Sequence, residues 1–480
     1  MLSRRTFASA LLAPLGWNRL WAQSTASVSP ARRRALKRFS EIAASLYAWD
    51  LLDEGVEPVL DTLRETTLAN STYLVALMHW EKRPLTDFFY PHNPKRKTYF
   101  PEDSRAYWRP HLEHYRDTRI KPRTSDREEL KGKDWLELLV TAARKQGWRT
   151  GAEISHTILD LERAQGEFSS AVQRDIYGNP LAQLICVNNP DARLYLIGLF
   201  TDLVSNYDLD FVQTCLVPFA ATRLRASVGL GGERHEPGTF GFQTWGAGGA
   251  GTPLETVVQT ALGGCFCPGC QSAAKADGLD LRAVRRALLP LADLLDHAGP
   301  GEGHRLALLR ASNTSPAALL LAHPEMFDWL RFRCASLTRL FRDLHQAIRR
   351  INPKIDLRLN AYISRNWELS GIDLAALKPH LGSIRSSDYS EQSGSAQQLE
   401  HKRQFLLSIR AAVGDQMHFL SAIGIRPKAT PELIRKGVVI SSECGADGLS
   451  LGHYDGAPLK NLEAIRQGLA DADVTTGQIS

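Results

Sequence analysis

Five carboxylate side chains stand at the ends of apolar runs typical of buried β-strands: Asp50, Glu81, Glu153, Asp388 and Glu391. Two carboxyl groups on either side of a glycosidic bond can hydrolyse it, one as the protonated acid and the other as the ionised nucleophile or base. We expect Glu153 and Asp388 to form this catalytic pair, because groups from the third and sixth strands of a barrel meet across its mouth. Asp50 and Glu81 are the alternative pair, or they bind substrate hydroxyl groups.

Aromatic and histidine side chains follow the same runs and indicate a binding site around the carboxylates. The predicted substrate-binding residues are Trp49, Asp50, His79, Trp80, Glu81, His156, Tyr389, Glu391 and His453. Tryptophan rings stack on sugar faces, although a tryptophan at a barrel rim equally serves packing. The three histidines bind substrate through hydrogen bonds or, if they converge, hold a zinc ion.

Cys265, Cys267 and Cys270 form the most specific short motif in the sequence, CFCPGC. Three thiols this close bind a structural zinc ion when one further ligand joins them, and His235 or His304 is the predicted fourth. Disulfide pairing, in an oxidising compartment, and free buried thiols are the alternatives. Folding in the reducing cytoplasm before export favours metal loading. The predicted hydrolysis itself requires no cofactor.

The elements that position these residues alternate between strand and helix. Short apolar runs predict eight strands at 43–49, 71–77, 149–155, 209–217, 356–363, 383–387, 417–423 and 448–451. Apolar residues at three-to-four spacing predict helices at 55–68, 135–147, 189–206, 324–351, 374–380, 397–413, 431–443 and 458–469. Eight such pairs indicate an α/β protein, a (β/α)8 TIM barrel over 41–475, with its site at the carboxyl ends of the strands. An open doubly wound sheet ranks second, because no glycine-rich dinucleotide turn follows the first strand.

Long insertions at 82–133 and 220–316 follow the second and fourth strands. They make the chain longer than the ~250 residues of a typical barrel. The first insertion contains eight aromatic residues, which argues against disorder. It is predicted to be a lid over the site, or else its aromatics anchor the loop to the top of the barrel.

The first 25 residues have the pattern of an export signal. Arg4 and Arg5 precede a mainly apolar run, 8–17, that is too short to span a bilayer. Twin arginines in this setting resemble the bacterial twin-arginine signal, which implies passage through the twin-arginine translocase and a periplasmic or extracellular destination. Residues 26–40 are the predicted linker.

The composition is that of a soluble globular protein, with 43% hydrophobic and 23% charged residues in 480. The net charge of +6 is partly local, since basic residues cluster at 32–38. No recognition helix or base-binding motif accompanies this cluster, so no nucleic-acid partner is predicted. No later segment has the length and apolarity of a membrane span.

Three sequence segments carry a family resemblance: 189–193 leading into 207–211, the cysteine motif before 278–280, and GADGLSLG at 445–452. With them the chain resembles the exported bacterial (β/α)8-barrel proteins of the glycoside hydrolase type. The resemblance implies a carbohydrate substrate and hydrolysis at the barrel mouth. The alternatives are a non-catalytic carbohydrate-binding barrel and a metal-dependent hydrolase or lyase that uses the histidines.

Overall fold

Eight parallel strands close into a barrel in the computed structural model of the protein. The structure describes residues 38–77, 92–93, 95, 102, 104–154, 159–215, 219, 264–297, 301, 321, 324–361, 368, 371–472 and 475–476. The strands are β1 (Glu41–Leu46), β2 (Ser71–Leu77), β3 (Arg149–Ile154), β4 (Phe211–Cys215), β5 (Asp356–Ala361), β6 (Ser383–Ser386), β7 (His418–Ile423) and β8 (Gly448–His453). They follow one another around the barrel in chain order, and β8 pairs with β1 to close it. The predicted TIM barrel is therefore confirmed.

A helix follows each strand and covers the outside of the barrel. These helices are α1 (Val56–Thr67), α2 (Trp135–Lys145), α3 (Pro190–Asn206), α4 (Pro324–Ile351), α5 (Leu374–Leu377), α6 (Ala396–Val413), α7 (Pro431–Glu443) and α8 (Leu459–Asp471). Within the described residues, no helix has both the length and the apolarity needed to cross a bilayer. The predicted signal peptide, 1–25, lies outside the described residues.

The predicted first strand, 43–49, is wrong at both ends. The strand starts at Glu41 and stops at Leu46, and a short helix, Ala48–Glu54, begins immediately. The Asp50 carboxylate accepts a hydrogen bond from the Tyr47 backbone N–H at 2.8 Å, which satisfies a group that the helix start would leave unpaired. The chain therefore turns away from the barrel earlier than its apolar run suggests.

The described aromatics of the first insertion anchor it to the barrel. Trp108 and Tyr115 are fully buried, and both donate hydrogen bonds of 2.9 Å to the Asp202 carboxylate on α3. The Tyr107 backbone N–H donates to the carbonyl of Ala76 on β2 at 2.8 Å. These residues serve as anchors, and the other five aromatics of 82–133 lie outside the described residues.

Two features between β3 and α4 were not predicted. An antiparallel hairpin, Val172–Arg174 with Pro180–Ile185, precedes α3. The second insertion contains two helices, Pro268–Ala276 and Leu281–His297.

The three-to-four spacing of apolar residues from Phe327 to Ile348 predicts the buried face of α4, and this prediction is correct only in the second half of the helix. Leu337, Phe341, Leu344 and Ile348 are buried, as expected from their spacing. At the other end, Phe327 is half exposed, whereas Met326 and Trp329 are buried. The Trp329 ring stacks on Phe266 of the second insertion with centroids 4.7 Å apart, so packing outside the barrel decides which side is covered.

The barrel interior contains a buried charged layer near the amino ends of the strands, centred on Glu41. Its carboxylate accepts two hydrogen bonds from Arg358 at 3.0 and 3.1 Å, and further bonds from Ser71 and Arg149, each at 2.8 Å. The His418 Nε2 atom lies 3.1 Å away. Burial alone raises the pKa of Glu41, but Arg358, His418 and Arg149 hold it well below its ordinary value. Glu41 is therefore ionised in the folded protein.

Replacing Arg358 by methionine leaves the Glu41 carboxylate without its main partner. We expect Arg358→Met to lower the free energy of unfolding at pH 7 by about 3–5 kcal/mol. The matched control, Arg339→Met, removes a half-exposed ion pair with Asp277 and should cost less than about 1 kcal/mol. Urea titrations measure both.

The Glu41–Arg358 pair also predicts that the free energy of unfolding depends on pH. The lowered pKa of Glu41 contributes stability above the ordinary glutamate value of ~4.3, and this stability is lost as the pH falls towards the folded-state pKa. The difference between wild type and Arg358→Met should therefore shrink below pH ~4. Equal differences at pH 3.5 and pH 7 would contradict this account.

Candidate active site at the barrel mouth

A second polar layer lines the barrel at the carboxyl ends of its strands. It is formed by Glu153 on β3, Gln213 on β4, Asn360 on β5, Arg385 on β6 and Ser450 on β8. The strand register places Glu153 opposite Gln213, and Asn360 opposite Arg385. Side chains alternate between the two faces of a strand, so these residues point into the barrel while their apolar neighbours face the helices.

Glu153 lies at the carboxyl end of β3, in the position expected from the sequence. Its residue surface is 6% exposed, and its carboxylate accepts a hydrogen bond from the Gln213 side-chain amide. Arg385 interacts electrostatically with it. A cation near a carboxylate favours the ionised form.

Arg385 is the fixed positive charge of this layer. Its fully buried guanidinium donates to Ser450 Oγ at 2.6 Å, to Asn360 Oδ1 at 2.8 Å and to the Tyr389 hydroxyl at 2.5 Å. Burial alone lowers the pKa of Arg385, but its interactions, with Tyr389 first and Glu153 among the others, raise it above its ordinary value. The arginine therefore stays charged and fixes Tyr389, a predicted substrate-binding residue, at the mouth.

The loop after β6 carries the two other predicted carboxylates, and they differ in exposure. The Asp388 side chain is 14% exposed, accepts the Ser390 backbone N–H at 3.0 Å and lies 3.9 Å from Lys402 Nζ. Glu391 is fully buried, 2.6 Å from the same lysine, and accepts the Gly424 backbone N–H at 2.9 Å. Glu391 therefore holds the loop in place and has no exposed surface, whereas the Asp388 side chain is partly exposed.

Trp49 and His453 lie where β1 and β8 meet. Trp49 is fully buried, stacked on Tyr47 with centroids 4.2 Å apart and in edge contact with Tyr107. It therefore offers no ring face to a sugar and packs against these two tyrosines. His453 is partly exposed, stacks on the same tyrosine at 4.9 Å and has Nδ1 3.1 Å from Ser45 Oγ.

Asp50 is a buried carboxyl group beside a second one. Burial, and then the neighbouring Asp455, raise its pKa well above the ordinary value, while the Tyr47 N–H lowers it. The group is fully buried. It therefore caps the helix Ala48–Glu54 and has no exposed surface to offer a ligand.

The remaining predicted site residues do not belong to the described barrel mouth. His79, Trp80, Glu81 and His156 lie outside the described residues. Cys265, Cys267 and Cys270 lie outside the barrel wall, where Cys186 joins them. The predicted fourth ligands, His235 and His304, are also outside the described residues.

Sequence reasoning missed Arg385, Gln213 and Asn360. One signal for the arginine was present: in the run Ser383–Ser386 it occupies an alternate position of a strand that is otherwise short and uncharged. A charged residue there points either into the barrel or at a helix, and in both places it needs partners.

No protein-family model matches the sequence, and no curated protein matches it. The α-L-fucosidase isoenzyme 2 of Paenibacillus thiaminolyticus aligns over 90% of this chain and 49% of its own, with 15% identity and a TM-score of 0.51. The PgaB (BpsB) glycoside hydrolase domain of Bordetella bronchiseptica aligns over 92% of this chain and 99% of its own, with 12% identity and a TM-score of 0.51. The fold is that of barrel glycoside hydrolases. This chain spans about half the length of the fucosidase.

The raised pKa of Asp50 predicts how the stability of the protein depends on pH. The folded protein keeps the proton where the unfolded chain, with a pKa of ~3.9, has lost it, so stability falls as the pH rises towards the folded-state pKa. Asp50→Asn removes this slope. Urea titrations should show that the free energy of unfolding of the variant, relative to that of wild type, increases by roughly 1 kcal/mol per pH unit above pH 4.

Asp117→Asn, at an exposed position, is the matched control. Its free energy of unfolding should change with pH in the same way as that of wild type. If the free energy of unfolding of Asp50→Asn also changes as that of wild type does between pH 4 and pH 7, Asp50 is not protonated in the folded protein.

Proposed function

We propose that this protein is an enzyme that hydrolyses glycosidic bonds at the mouth of its barrel, with Glu153 and Asp388 as the two carboxyl groups. The observation that carries the proposal is the placement of Glu153. It lies in the polar layer at the carboxyl ends of the strands, which is where enzymes of this fold bind substrate, and it has Arg385 and Gln213 as neighbours.

The surroundings of Glu153 favour the role of nucleophile or base. Both roles need an ionised carboxylate, and the Arg385 cation stabilises that form. The hydrogen bond from Gln213 fixes the orientation of the carboxylate. Asp388 then supplies the second carboxyl group that the reaction requires.

Asp388 is suited to be the second group because it is the partly exposed carboxylate of the β6 loop. Lys402 and Glu391 hold the same loop by a buried ion pair at 2.6 Å, so the position of Asp388 is fixed by the fold. A pair of groups fixed in this way orients the substrate bond between them before the reaction begins.

A panel of aryl glycosides, including the α-L-fucoside suggested by the fucosidase, together with oligosaccharides, would identify a substrate. On that substrate we expect Glu153→Gln and Asp388→Asn each to lower kcat by roughly 10²–10⁴-fold, because each removes a group that transfers a proton or attacks the sugar. The matched control is Glu400→Gln, at a glutamate on α6 whose side chain is 58% exposed, and it should keep wild-type activity. Circular dichroism establishes that the variants are folded. Full activity of both Glu153→Gln and Asp388→Asn would refute the assignment.

A non-catalytic carbohydrate-binding barrel is the second candidate, and one observation favours it. Asp50 and Glu391, two of the predicted carboxylates, are fully buried and hold structure in place. If the panel yields no turnover but calorimetry detects saturable sugar binding that Tyr389→Ala or His453→Ala weakens, the binding function replaces the enzymatic one.

A further inference from the structure

Four cysteine thiols converge outside the barrel wall: Cys186, Cys265, Cys267 and Cys270. Their Sγ atoms all lie within 4.8 Å of one another, and all four residues are fully buried. Cys186 follows the hairpin strand Pro180–Ile185, and the other three stand at the start of the helix Pro268–Ala276. The chain therefore brings one thiol from before α3 to three thiols of the second insertion.

The sulfur separations fit a single metal ion. Cys186 Sγ lies 3.3 Å from Cys267 Sγ and 3.6 Å from Cys270 Sγ, well beyond the ~2.05 Å of a disulfide bond. A tetrahedral zinc ion with Zn–S bonds of ~2.3 Å separates its sulfurs by ~3.8 Å. An iron–sulfur cluster with four irons holds each thiolate on a different iron, which places the sulfurs farther apart.

Polar N–H groups surround the sulfurs as they surround thiolates. The Arg174 backbone N–H donates to Cys265 Sγ at 3.2 Å, and the Cys270 backbone N–H donates to Cys267 Sγ at 3.4 Å. The Asn188 side-chain amide donates to Cys270 Sγ at 3.4 Å. Such donors orient the ligands of a metal and spread their negative charge.

A buried cation lies near the same cluster. Arg333 on α4 is fully buried and interacts electrostatically with its neighbour Cys334 first and then with Cys265 and Cys270. Its guanidinium lies 5.3 Å from the ring centre of Phe219. A zinc ion with four thiolates has a net charge of about −2. A buried arginine at this place offsets part of that charge, whereas four neutral thiols would gain little from it.

We propose that Cys186, Cys265, Cys267 and Cys270 bind one structural Zn²⁺ ion. The four thiols complete a closed tetrahedral site without a histidine and without a position for substrate or water, so the metal holds structure and does not take part in hydrolysis.

The site would fasten the second insertion to the barrel. Gly269 lies against the backbone of Asn188, where a side chain would come within 2.7 Å of the carbonyl oxygen. The Asn188 side chain also donates to Ser336 Oγ on α4 at 3.0 Å. The metal would therefore join the insertion after β4 to the start of α3 and to the middle of α4, where these segments already meet.

The test uses the full chain, produced in zinc-supplemented medium and purified without chelator. Elemental analysis should find one zinc per chain, and titration with an organomercurial should release the zinc as about four thiols react. Cobalt substitution should give the thiolate charge-transfer and tetrahedral ligand-field bands of a four-sulfur site. These measurements on the wild-type protein do not depend on a variant that folds.

Cys186→Ser should lose most of the zinc, and the matched control Cys334→Ser, at a partly exposed cysteine outside the cluster, should keep it. Three results would overturn the proposal: folded wild-type protein without stoichiometric metal, a disulfide among these four cysteines in unreduced peptide maps, or full zinc content in Cys186→Ser. None of these results depends on glycoside turnover.

Discussion

Two arginines lie fully buried inside a closed barrel, and the surrounding structure must pair them. Every second residue of a barrel strand points inward, so a charge placed there has no solvent and no strand edge to reach. Arg358 meets this requirement through Glu41, which joins β5 to β1 across the lower barrel. Arg385 meets it through Asn360, Ser450 and Tyr389 at the mouth.

The two buried polar layers have different roles because the partners of their arginines differ. The lower arginine pairs with a carboxylate that has four hydrogen-bonding residues around it, Arg358 among them, and is satisfied within the fold. The upper arginine has mainly neutral partners, so its charge acts on Glu153 and remains available to the site. A buried ion pair is weak evidence for net stability, but breaking one is costly, and this fixes the side chains around each arginine. The mouth is therefore preorganised by the same constraint that orders the core.

The architecture could be predicted from the sequence because short apolar runs and three-to-four helical spacing are local patterns, and eight strands and their helices appear in the expected order, although the first strand has other ends. The prediction of which side chains are buried failed where packing against distant segments decides it, as at Phe327 and Trp329 of α4. The position of Glu153 at the barrel mouth was predictable because the residue stands at the carboxyl end of a predicted strand. The convergence of Cys186 with the CFCPGC motif was not, because it depends on how a hairpin and an insertion fold against each other.

A crystal structure of the wild-type protein with a non-hydrolysable thioglycoside of its substrate tests the catalytic assignment most directly. We expect the glycosidic sulfur to lie between Glu153 and Asp388, with their carboxyl groups roughly 5–10 Å apart. A separation near the lower end of that range indicates retention of configuration, and one near the upper end indicates inversion. A sugar bound away from Glu153, or carboxyl groups farther apart than ~10 Å, would contradict glycoside hydrolysis by this pair.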